Sequence, residues 1–234
     1  MKVILLAGGL GTRIAEETDT KPKPMVLIDD KPILWHLMNI FASQGYTDFV
    51  IATGYKGEVI HDWVATLESN WNIQALDTGL NTQTGGRIKK CIESTGDEAF
   101  FATYGDGLAN VDLNVLLTQH QSSGQVATVT AVRPPARFGF LHIEGSDVTH
   151  FGEKNQSDEG WINGGFFVLN RQVISSIHDD SEPFETGALP RLVAQGQLGA
   201  YQHQGFWQPM DTLREKLDLE KAAKESPPPW LRFN

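Results

Sequence analysis

The sequence has little cysteine and no long hydrophobic run. Cys91 is its one cysteine among 234 residues, so an intramolecular disulfide is impossible and a disulfide-stapled secreted scaffold is excluded. The apolar run from Val3 to Ala7 ends at Gly8, which makes it too short for a signal-peptide core or a membrane span. We therefore expect a cytoplasmic protein with no membrane partner.

Positive charge is also scarce. The chain has 19 Lys and Arg against 29 Asp and Glu, a formal net charge of -10 at pH 7. Binding to nucleic acid or to an anionic membrane draws much of its free energy from clustered cations, so we expect neither partner. A polyphosphate ligand would have to meet a local cluster of cations.

Apolar runs of strand length recur in the sequence and alternate, in its first half, with helical patterns. Runs over residues 3–7, 49–53, 99–104, 126–132 and 162–169 are predicted to be strands. Helices are predicted from near Pro32 to Gly45, with Asp30 as the N-cap, and over residues 57–67, 112–121 and 212–224. Continuous apolar strands alternating with helices are typical of a mainly parallel sheet covered on both faces. The predicted fold class is α/β, Rossmann-like and doubly wound.

The pattern changes after Gly124. Strand-length segments over residues 139–143 and 148–151 are separated by short turns, which predicts an antiparallel extension at the edge of the sheet. Apolar residues make up 40% of the chain, enough to bury the core of one large domain. We predict a single domain over residues 1–226 and a C-terminal tail over residues 227–234.

A glycine-rich loop follows the first predicted strand. It reads Gly8-Gly9-Leu10-Gly11-Thr12-Arg13. In an open parallel sheet, ligands bind beyond the carboxyl ends of the strands. Glycines let backbone N–H groups approach a phosphate closely, while Thr12 adds a hydroxyl and Arg13 a bidentate cation. The loop lacks the Gly-Lys-Ser/Thr of a Walker A sequence and the third glycine of the dinucleotide fingerprint, which disfavours a P-loop kinase and a Rossmann dehydrogenase.

Two lysines stand in a proline-rich segment that follows the loop, Lys21-Pro22-Lys23-Pro24-Met25. The alternating prolines restrict the backbone, and we expect them to hold the lysines in an extended geometry. A rigidly held cation suits a triphosphate. The alternative is that the glycines form only a tight turn and the lysines are solvated charges; the succession of strand, loop, Arg13 and Lys23 favours the phosphate site.

These two blocks resemble the signature of the sugar-nucleotide pyrophosphorylases and, within that family, of the glucose-1-phosphate cytidylyltransferases. The resemblance runs nearly end to end. Its further matching stretches are residues 31–36, Thr84-Gly85-Gly86-Arg87, Tyr104-Gly105-Asp106-Gly107, residues 160–167 and residues 205–212. So many blocks in the same order are far more specific than any one of them.

The resemblance implies a fold of the nucleotide-diphospho-sugar transferase type and a magnesium-dependent reaction of CTP with a sugar 1-phosphate, which releases pyrophosphate, in a homo-oligomer. It assigns Mg²⁺ to Asp106 and Asp211, and the sugar phosphate to Lys154, Asn163 and Gly164. Arg13 and Lys23 are the implied catalytic cations, which stabilise the departing pyrophosphate. The implied nucleotide-binding residues are Ala7, Gly8, Gly9, Gly11, Thr12, Arg13, Lys23, Arg87 and Asp106.

The residues themselves leave alternatives open. An aspartate between two glycines, as at Asp106, is commonly a turn residue or a helix cap, and Lys154 by itself is a surface charge. The segment between Trp63 and Asp77 is shorter than in the cytidylyltransferases, which leaves the sugar acceptor and the oligomeric state open. The same fold would serve UTP, dTTP or GTP, or a non-catalytic regulatory protein that binds a nucleotide sugar.

Overall fold

The computed structural model describes residues 1–134, 139–144, 146–153 and 160–233. Only the backbone is described for Arg13, Ala15, residues 139–144 and residues 150–153. The strands are β1 Lys2–Leu6, β2 Leu27–Ile28, β3 Lys31–Pro32, β4 Asp48–Thr53, β5 Asn72–Asp77, β6 Ala99–Tyr104, β7 Gly107–Ala109, β8 Ala127–Val132, β9 Gly139–Glu144, β10 Asp147–Glu153, β11 Ile162–Asn163, β12 Phe167–Asn170, β13 Leu198–Gln202 and β14 Trp207–Pro209. The α-helices are α1 Ala15–Thr18, α2 Ile33–Ala42, α3 Gly57–Thr66, α4 Thr84–Glu93, α5 Leu113–Ser123, α6 Ala188–Ala194 and α7 Leu213–Ala223. No helix within these ranges is both long and apolar enough to cross a membrane.

The first half of the chain forms a parallel sheet in the order β5-β4-β1-β6. From β1 the chain moves outward through β4 to β5, and it then returns to place β6 on the other side of β1. This reversal is the topological switch point of a doubly wound sheet, where the carboxyl ends of β1 and β6 diverge and leave a crevice. The predicted α/β, doubly wound architecture is confirmed.

The second half extends the same sheet with strands of mixed direction. Strand β12 is antiparallel to β6 and to β8, while β13 runs parallel to β8 and β11 antiparallel to it. An antiparallel extension was predicted, and it is present. Within the described residues, however, β9 and β10 pair with each other in a separate two-stranded sheet, so the prediction that they widen the main sheet was wrong.

One predicted strand is interrupted. Residues 162–169 form β11 and β12 with a break between them, where Gly165 and Phe166 have φ of +76° and +48°. Positive φ values are incompatible with a continuous strand, and apolar composition does not reveal them. The break lets β11 and β12 pair with different parts of the sheet.

Side chains of the central strands alternate between the two faces of the sheet, as the pleat requires. Val3 and Leu5 pack in the core on one face, with α2 and the C-terminal segment, and Ile4 and Leu6 pack on the other, with α4 and α6. Helix α2 buries one apolar face, which includes Leu34, Leu37, Met38 and Phe41. Both faces of the parallel sheet are therefore covered.

The expected cap of α2 was wrong. Pro32 is the N-cap residue and the helix start has no side-chain cap hydrogen bond. Asp30 instead has φ of +64° in the turn between β2 and β3, a conformation that aspartate tolerates better than most residues. Strand β5 and helix α4 were not predicted. Strand β5 has no fully buried residue, and α4 begins with Thr84-Gly85-Gly86, where the glycines disfavour a helix, although Ile88, Cys91 and Ile92 share its buried face.

The C-terminal segment packs against the domain. Trp230 is fully buried in the same core as α2, and its ring lies edge-on to that of His36 at 5.4 Å between centroids. The side chain of Asn110 also donates a hydrogen bond to the carbonyl of Arg232 at 2.7 Å. Residues 227–233 thus contribute to the hydrophobic core.

Candidate active site

The switch point opens into a cavity of about 780 Å³ between the loops that follow β1 and β6. A cavity of this size accommodates a nucleotide-sized ligand. The residues predicted from the sequence that line it are Ala7, Gly8, Gly9, Gly11, Thr12, Lys23, Arg87, Asp106 and Asp211. Residues from both ends of the chain therefore meet at one site.

The glycine loop presents backbone donors to this cavity. Within the described part of the chain, the N–H groups of Gly8, Gly9 and Gly11 donate no hydrogen bond to protein acceptors. Gly11 has φ of +64°, in the left-handed region that favours glycine. Consecutive unpaired N–H groups in such a loop form a concave site for an anion.

Lys23 is held in a turn. The sequence predicted an extended segment, but Lys23–Met25 is a single 3₁₀ turn, closed by a hydrogen bond from the Met25 N–H to the Pro22 carbonyl at 2.8 Å. Proline is compatible with the first positions of a helical turn because its φ is already set. The extended geometry was therefore wrong, although Lys23 still points into the cavity.

The ammonium of Lys23 lies between two carboxylates. Its Nζ is 2.6 Å from Asp106 Oδ2 and 2.7 Å from Asp211 Oδ1, and its side chain is 9% exposed. Burial alone would lower the pKa of Lys23, but the charges and hydrogen bonds of Asp106 and Asp211 outweigh burial, and the pKa is raised above its ordinary value. Lys23 is thus a charged, buried cation in an otherwise acidic protein.

A short ribbon brings the two aspartates together. Strand β7, which follows Asp106, pairs antiparallel with β14, which precedes Asp211. The Met210 N–H donates to the Asp106 carbonyl at 2.8 Å and extends the ladder by one step. Backbone pairing across more than one hundred residues therefore fixes the distance between the two carboxylates.

The start of α7 orients Asp211. Thr212 caps this helix through a capping box with Glu215. The carboxylate of Glu215 accepts hydrogen bonds from the N–H groups of Asp211 and Thr212, at 2.7 and 2.9 Å. Such reciprocal capping satisfies the free donors of the first helical turn and holds the backbone at Asp211 in one conformation.

The carboxylate pair fits a divalent cation that also binds phosphate. Magnesium takes hard oxygen ligands, typically one or two carboxylates with phosphate oxygens and water, and Asp106 and Asp211 already flank one cation. Among the described residues, no group of three or more His, Cys, Asp or Glu side chains is placed to hold a metal ion. Asp106 and Asp211 would therefore share a metal ion with the phosphate groups of a ligand.

Arg87 supports the glycine loop from beneath. Arg87 is 4% exposed, and its guanidinium donates to the carbonyls of Thr53 at 2.8 Å and Gly8 at 3.0 Å, and to the Thr78 hydroxyl at 2.5 Å. Burial lowers the pKa of Arg87, partly offset by Asp77. The side chain ties the carboxyl ends of β1, β4 and β5 together. It also lines the cavity, so nucleotide binding by Arg87 stays a prediction.

Asn163, a predicted contact of the sugar acceptor, lies beside Tyr104, which lines the cavity. Asn163 is exposed on β11, and its Nδ2 donates to the Tyr104 hydroxyl at 2.9 Å. Gly164 uses both backbone groups within the protein, donating to the Thr130 carbonyl and accepting from Trp207 Nε1, each at 2.9 Å. A Cβ at Gly164 would lie 2.6 Å from Val132, so close packing accounts for this glycine.

Two predicted assignments fall outside the described part of the structure. Lys154 and the side chain of Arg13 lie outside what the structure describes, so their assignments stay predictions. Three other residues were missed by the sequence argument: Tyr104, Thr84 and Glu185. Tyr104 and Thr84 stand inside stretches that matched the family, whereas Glu185 belongs to no motif and only its contacts reveal it.

Comparison with known proteins places these features in context. The sequence profile of the family described as "Nucleotidyl transferase" matches residues 2–224. The glucose-1-phosphate cytidylyltransferase of Salmonella typhi is 46% identical over 98% of this chain and 98% of its own length. Their alignment spans 253 residues, more than the 234 present here, so that relative carries residues that this chain lacks.

Two less similar proteins carry other nucleotides in their names or titles. The mannose-1-phosphate guanyltransferase of Hypocrea jecorina is 29% identical over 98% of this chain and 68% of its own length. The crystal structure of HddC from Yersinia pseudotuberculosis, complexed with GMP-PN, superimposes with a TM-score of 0.74 and 25% identity over 95% of this chain and 99% of that one. The fold of this chain is therefore shared by a protein whose crystal structure is a complex with GMP-PN.

Proposed function

The chain belongs to the nucleotidyl transferase family, and we propose that it transfers the cytidylyl group of CTP to a sugar 1-phosphate and releases pyrophosphate. Glucose 1-phosphate is the first candidate for the acceptor, since 46% identity over nearly the full length links the chain to a cytidylyltransferase for that sugar. The product would be a CDP-sugar.

One observation carries the proposal. A single cavity combines unpaired N–H groups of the glycine loop, a buried charged lysine and two carboxylates from distant parts of the chain. Unpaired N–H groups and a lysine suit a polyphosphate, and paired carboxylates suit its metal ion. A module that only binds nucleotide sugars would not need the lysine and both acids together.

The chemistry requires alignment more than proton transfer. The phosphate of a sugar 1-phosphate is already anionic at neutral pH, so its oxygen can attack the α-phosphorus in line without a general base. Catalysis then rests on positioning and on neutralising charge, as in other phosphoryl-type transfers. In this proposal the glycine loop holds the triphosphate, and Lys23 and Arg13 stabilise the departing pyrophosphate.

Magnesium is the proposed cofactor, with Asp106 and Asp211 as its protein ligands. When bound, it would neutralise phosphate charge and help to orient the triphosphate. Because Lys23 already contacts both carboxylates, the ammonium is within reach of any phosphate oxygen that approaches them. Lys154 and Asn163 are the proposed contacts of the acceptor. A homo-oligomer in the cytoplasm is the setting that we propose for this reaction.

The test is a panel of substrate pairs. The purified protein is incubated with CTP, UTP, dTTP or GTP, each combined with a set of sugar 1-phosphates and Mg²⁺, and pyrophosphate release is followed. We expect CTP with glucose 1-phosphate or a related sugar 1-phosphate to give the highest kcat/KM, and EDTA to abolish turnover. The variant Lys23→Met serves as the matched inactive protein.

Other outcomes identify the alternatives. Preferential turnover of UTP, dTTP or GTP would retain the reaction and correct the base, an outcome that the guanyltransferase relative makes worth testing. Binding of a nucleotide sugar that needs no magnesium, with no turnover of any pair, would reject the enzyme and favour a regulatory binding protein.

A further inference from the structure

Glu185 accepts hydrogen bonds from two hydroxyl groups beside the cavity. Tyr104 donates to its Oε1 at 2.6 Å and Thr84 to its Oε2 at 2.7 Å. Thr84 in turn accepts from the N–H of Phe184 at 2.8 Å, the residue that precedes Glu185. Both carboxylate oxygens of Glu185 therefore have defined partners that join α4, β6 and the segment before α6.

These contacts fix where the Tyr104 proton points. A carboxylate only accepts hydrogen bonds, so the hydroxyl of Tyr104 must donate to Glu185, and its oxygen is left as an acceptor on the other side. A phenol keeps its proton at neutral pH, since its ordinary pKa is about 10. The Tyr104 oxygen can therefore only accept a hydrogen bond from Asn163.

The orientation of the Asn163 amide follows from this. Its Nδ2 faces the Tyr104 oxygen at 2.9 Å, and its Oδ1 accepts from the N–H of Gly165 at 2.9 Å. Two partners at opposite ends of the amide require the same orientation, so this assignment does not depend on the choice between nitrogen and oxygen. Among the described residues, this exposed amide makes no other hydrogen bond, so one N–H and one lone pair of Oδ1 are left at fixed positions.

We propose that Glu185 is a positioning residue for the sugar acceptor, acting through Tyr104 to fix the donor and the acceptor that Asn163 offers to sugar hydroxyls. This inference rests on the proposed function, because it takes Asn163 as an acceptor contact. A fixed donor and acceptor discriminate between sugars by hydroxyl geometry, since a misplaced hydroxyl leaves a polar group unpaired. Glu185 therefore sets acceptor affinity without touching the acceptor.

The test replaces the carboxylate with an apolar group of similar length. In Glu185→Met the Tyr104 proton loses its acceptor and is free to turn towards the Asn163 amide, where it opposes an N–H. We expect the KM for the sugar 1-phosphate to rise about tenfold while the KM for CTP stays within about twofold. Glu185→Gln keeps an oxygen for Tyr104 and should restore most of the acceptor affinity.

Two further variants separate positioning from a general structural effect. Tyr104→Phe should raise the acceptor KM to a similar extent, and the double variant with Glu185→Met should be no worse than either single one, because both remove the same link. Glu93→Met, an exposed glutamate at the end of α4, is the control and should change neither KM. A rise in both KM values, or additive effects of the two variants, would overturn the inference.

A readout without turnover keeps this test independent of the proposed function. The side-chain amide of Asn163 gives a pair of ¹H–¹⁵N resonances, identified by their loss in Asn163→Ala. We expect these resonances to shift in Glu185→Met and Tyr104→Phe, to return towards their native positions in Glu185→Gln, and to stay in place in Glu93→Met. Unchanged resonances in Glu185→Met would reject the positioning role, whereas absence of turnover by the wild-type protein would reject only the proposed function.

Discussion

The ammonium of Lys23 lies 2.6 Å from the Asp106 carboxylate, although the two residues are 83 positions apart in the sequence. With Asp211 on its other side, this lysine is the centre of charge in the cavity. The site therefore holds one positive and two negative side chains in contact, which suits a ligand that combines phosphate with a metal ion.

Removal of the lysine charge should abolish most activity. We expect Lys23→Met to lower kcat by about a hundredfold or more, the scale on which a preorganised electrostatic contact acts. Lys21→Met is the matched control, because Lys21 lies two residues away and lines a different cleft with Glu17; it should change kcat by no more than about twofold. Equal losses in both variants would mean that net charge matters and not the placement of Lys23.

Removal of one carboxylate charge should have a comparable effect. Asp106→Asn keeps the shape of the side chain but weakens a metal ligand, and we expect kcat to fall roughly a hundredfold and the Mg²⁺ concentration for half-maximal rate to rise. Asp218→Asn, on the exposed side of α7, changes net charge equally and should leave both quantities unaltered. Turnover of Asp106→Asn close to that of the wild-type protein would remove Asp106 from the metal site.

Adjacent glycines of the loop should respond differently to the same substitution. A Cβ at Gly8 would overlap the Arg87 guanidinium, whereas a Cβ at Gly9 meets no atom within 4 Å. The guanidinium cannot yield cheaply because it is held by several hydrogen bonds. We expect Gly8→Ala to lower the free energy of unfolding by about 2 kcal/mol and Gly9→Ala to leave it unchanged.

Gly9→Ala should instead weaken nucleotide binding, since its methyl group would enter the cavity beside the loop N–H groups. A rise of about tenfold in the Kd for CTP, measured by titration calorimetry, is the expected result. Chemical denaturation gives the stability of both variants. If Gly9→Ala binds CTP like the wild-type protein, the loop does not approach the phosphates as proposed.

Cys91 should be protected from thiol reagents in the native state. Its side chain is fully buried on α4, and burial raises its pKa to about 12, partly offset by Arg87. Labelling at pH 8 should therefore be slow and limited by opening of the structure, and rapid in denaturant. Fast labelling without denaturant would show that α4 detaches easily from the sheet.

The same pKa shift predicts a loss of stability at high pH. A thiol whose pKa is raised by folding contributes its full stability below the unfolded pKa of about 8.5. That contribution is lost as the pH rises from there towards about 12. The comparison of Cys91→Ala with the wild-type protein in denaturation curves between pH 8 and pH 10 should show a smaller decrease for the variant.

Much of the site could be predicted from short stretches of the sequence. The strand before Gly8, the glycines of the loop and the aspartate after β6 each carry a pattern that short-range physics explains: apolar residues that form a buried strand, glycines that permit unusual φ, and polar residues where a strand ends. The parallel arrangement then follows, because such strands can bury both faces only when helices cover them. These features also account for the location of the cavity.

The tertiary structure decided what depends on distant pairing. The pairing of β7 with β14 brings Asp106 to Asp211, and the positive φ at Phe166 splits a predicted strand. The bracing of Gly8 by Arg87 is decided in the same way. None of these has a local signature, because the energy comes from partners far away in the chain.

Glu185 could not be predicted from the sequence. Nothing around it forms a motif, and its role is visible only because folding places it against Tyr104 and Thr84. By itself, the sequence determined which groups could meet a nucleotide, since charge, glycine content and strand pattern are local properties. The tertiary structure alone decided which of those groups touch and which way their protons point, since hydrogen-bond direction depends on the full set of neighbours around each group.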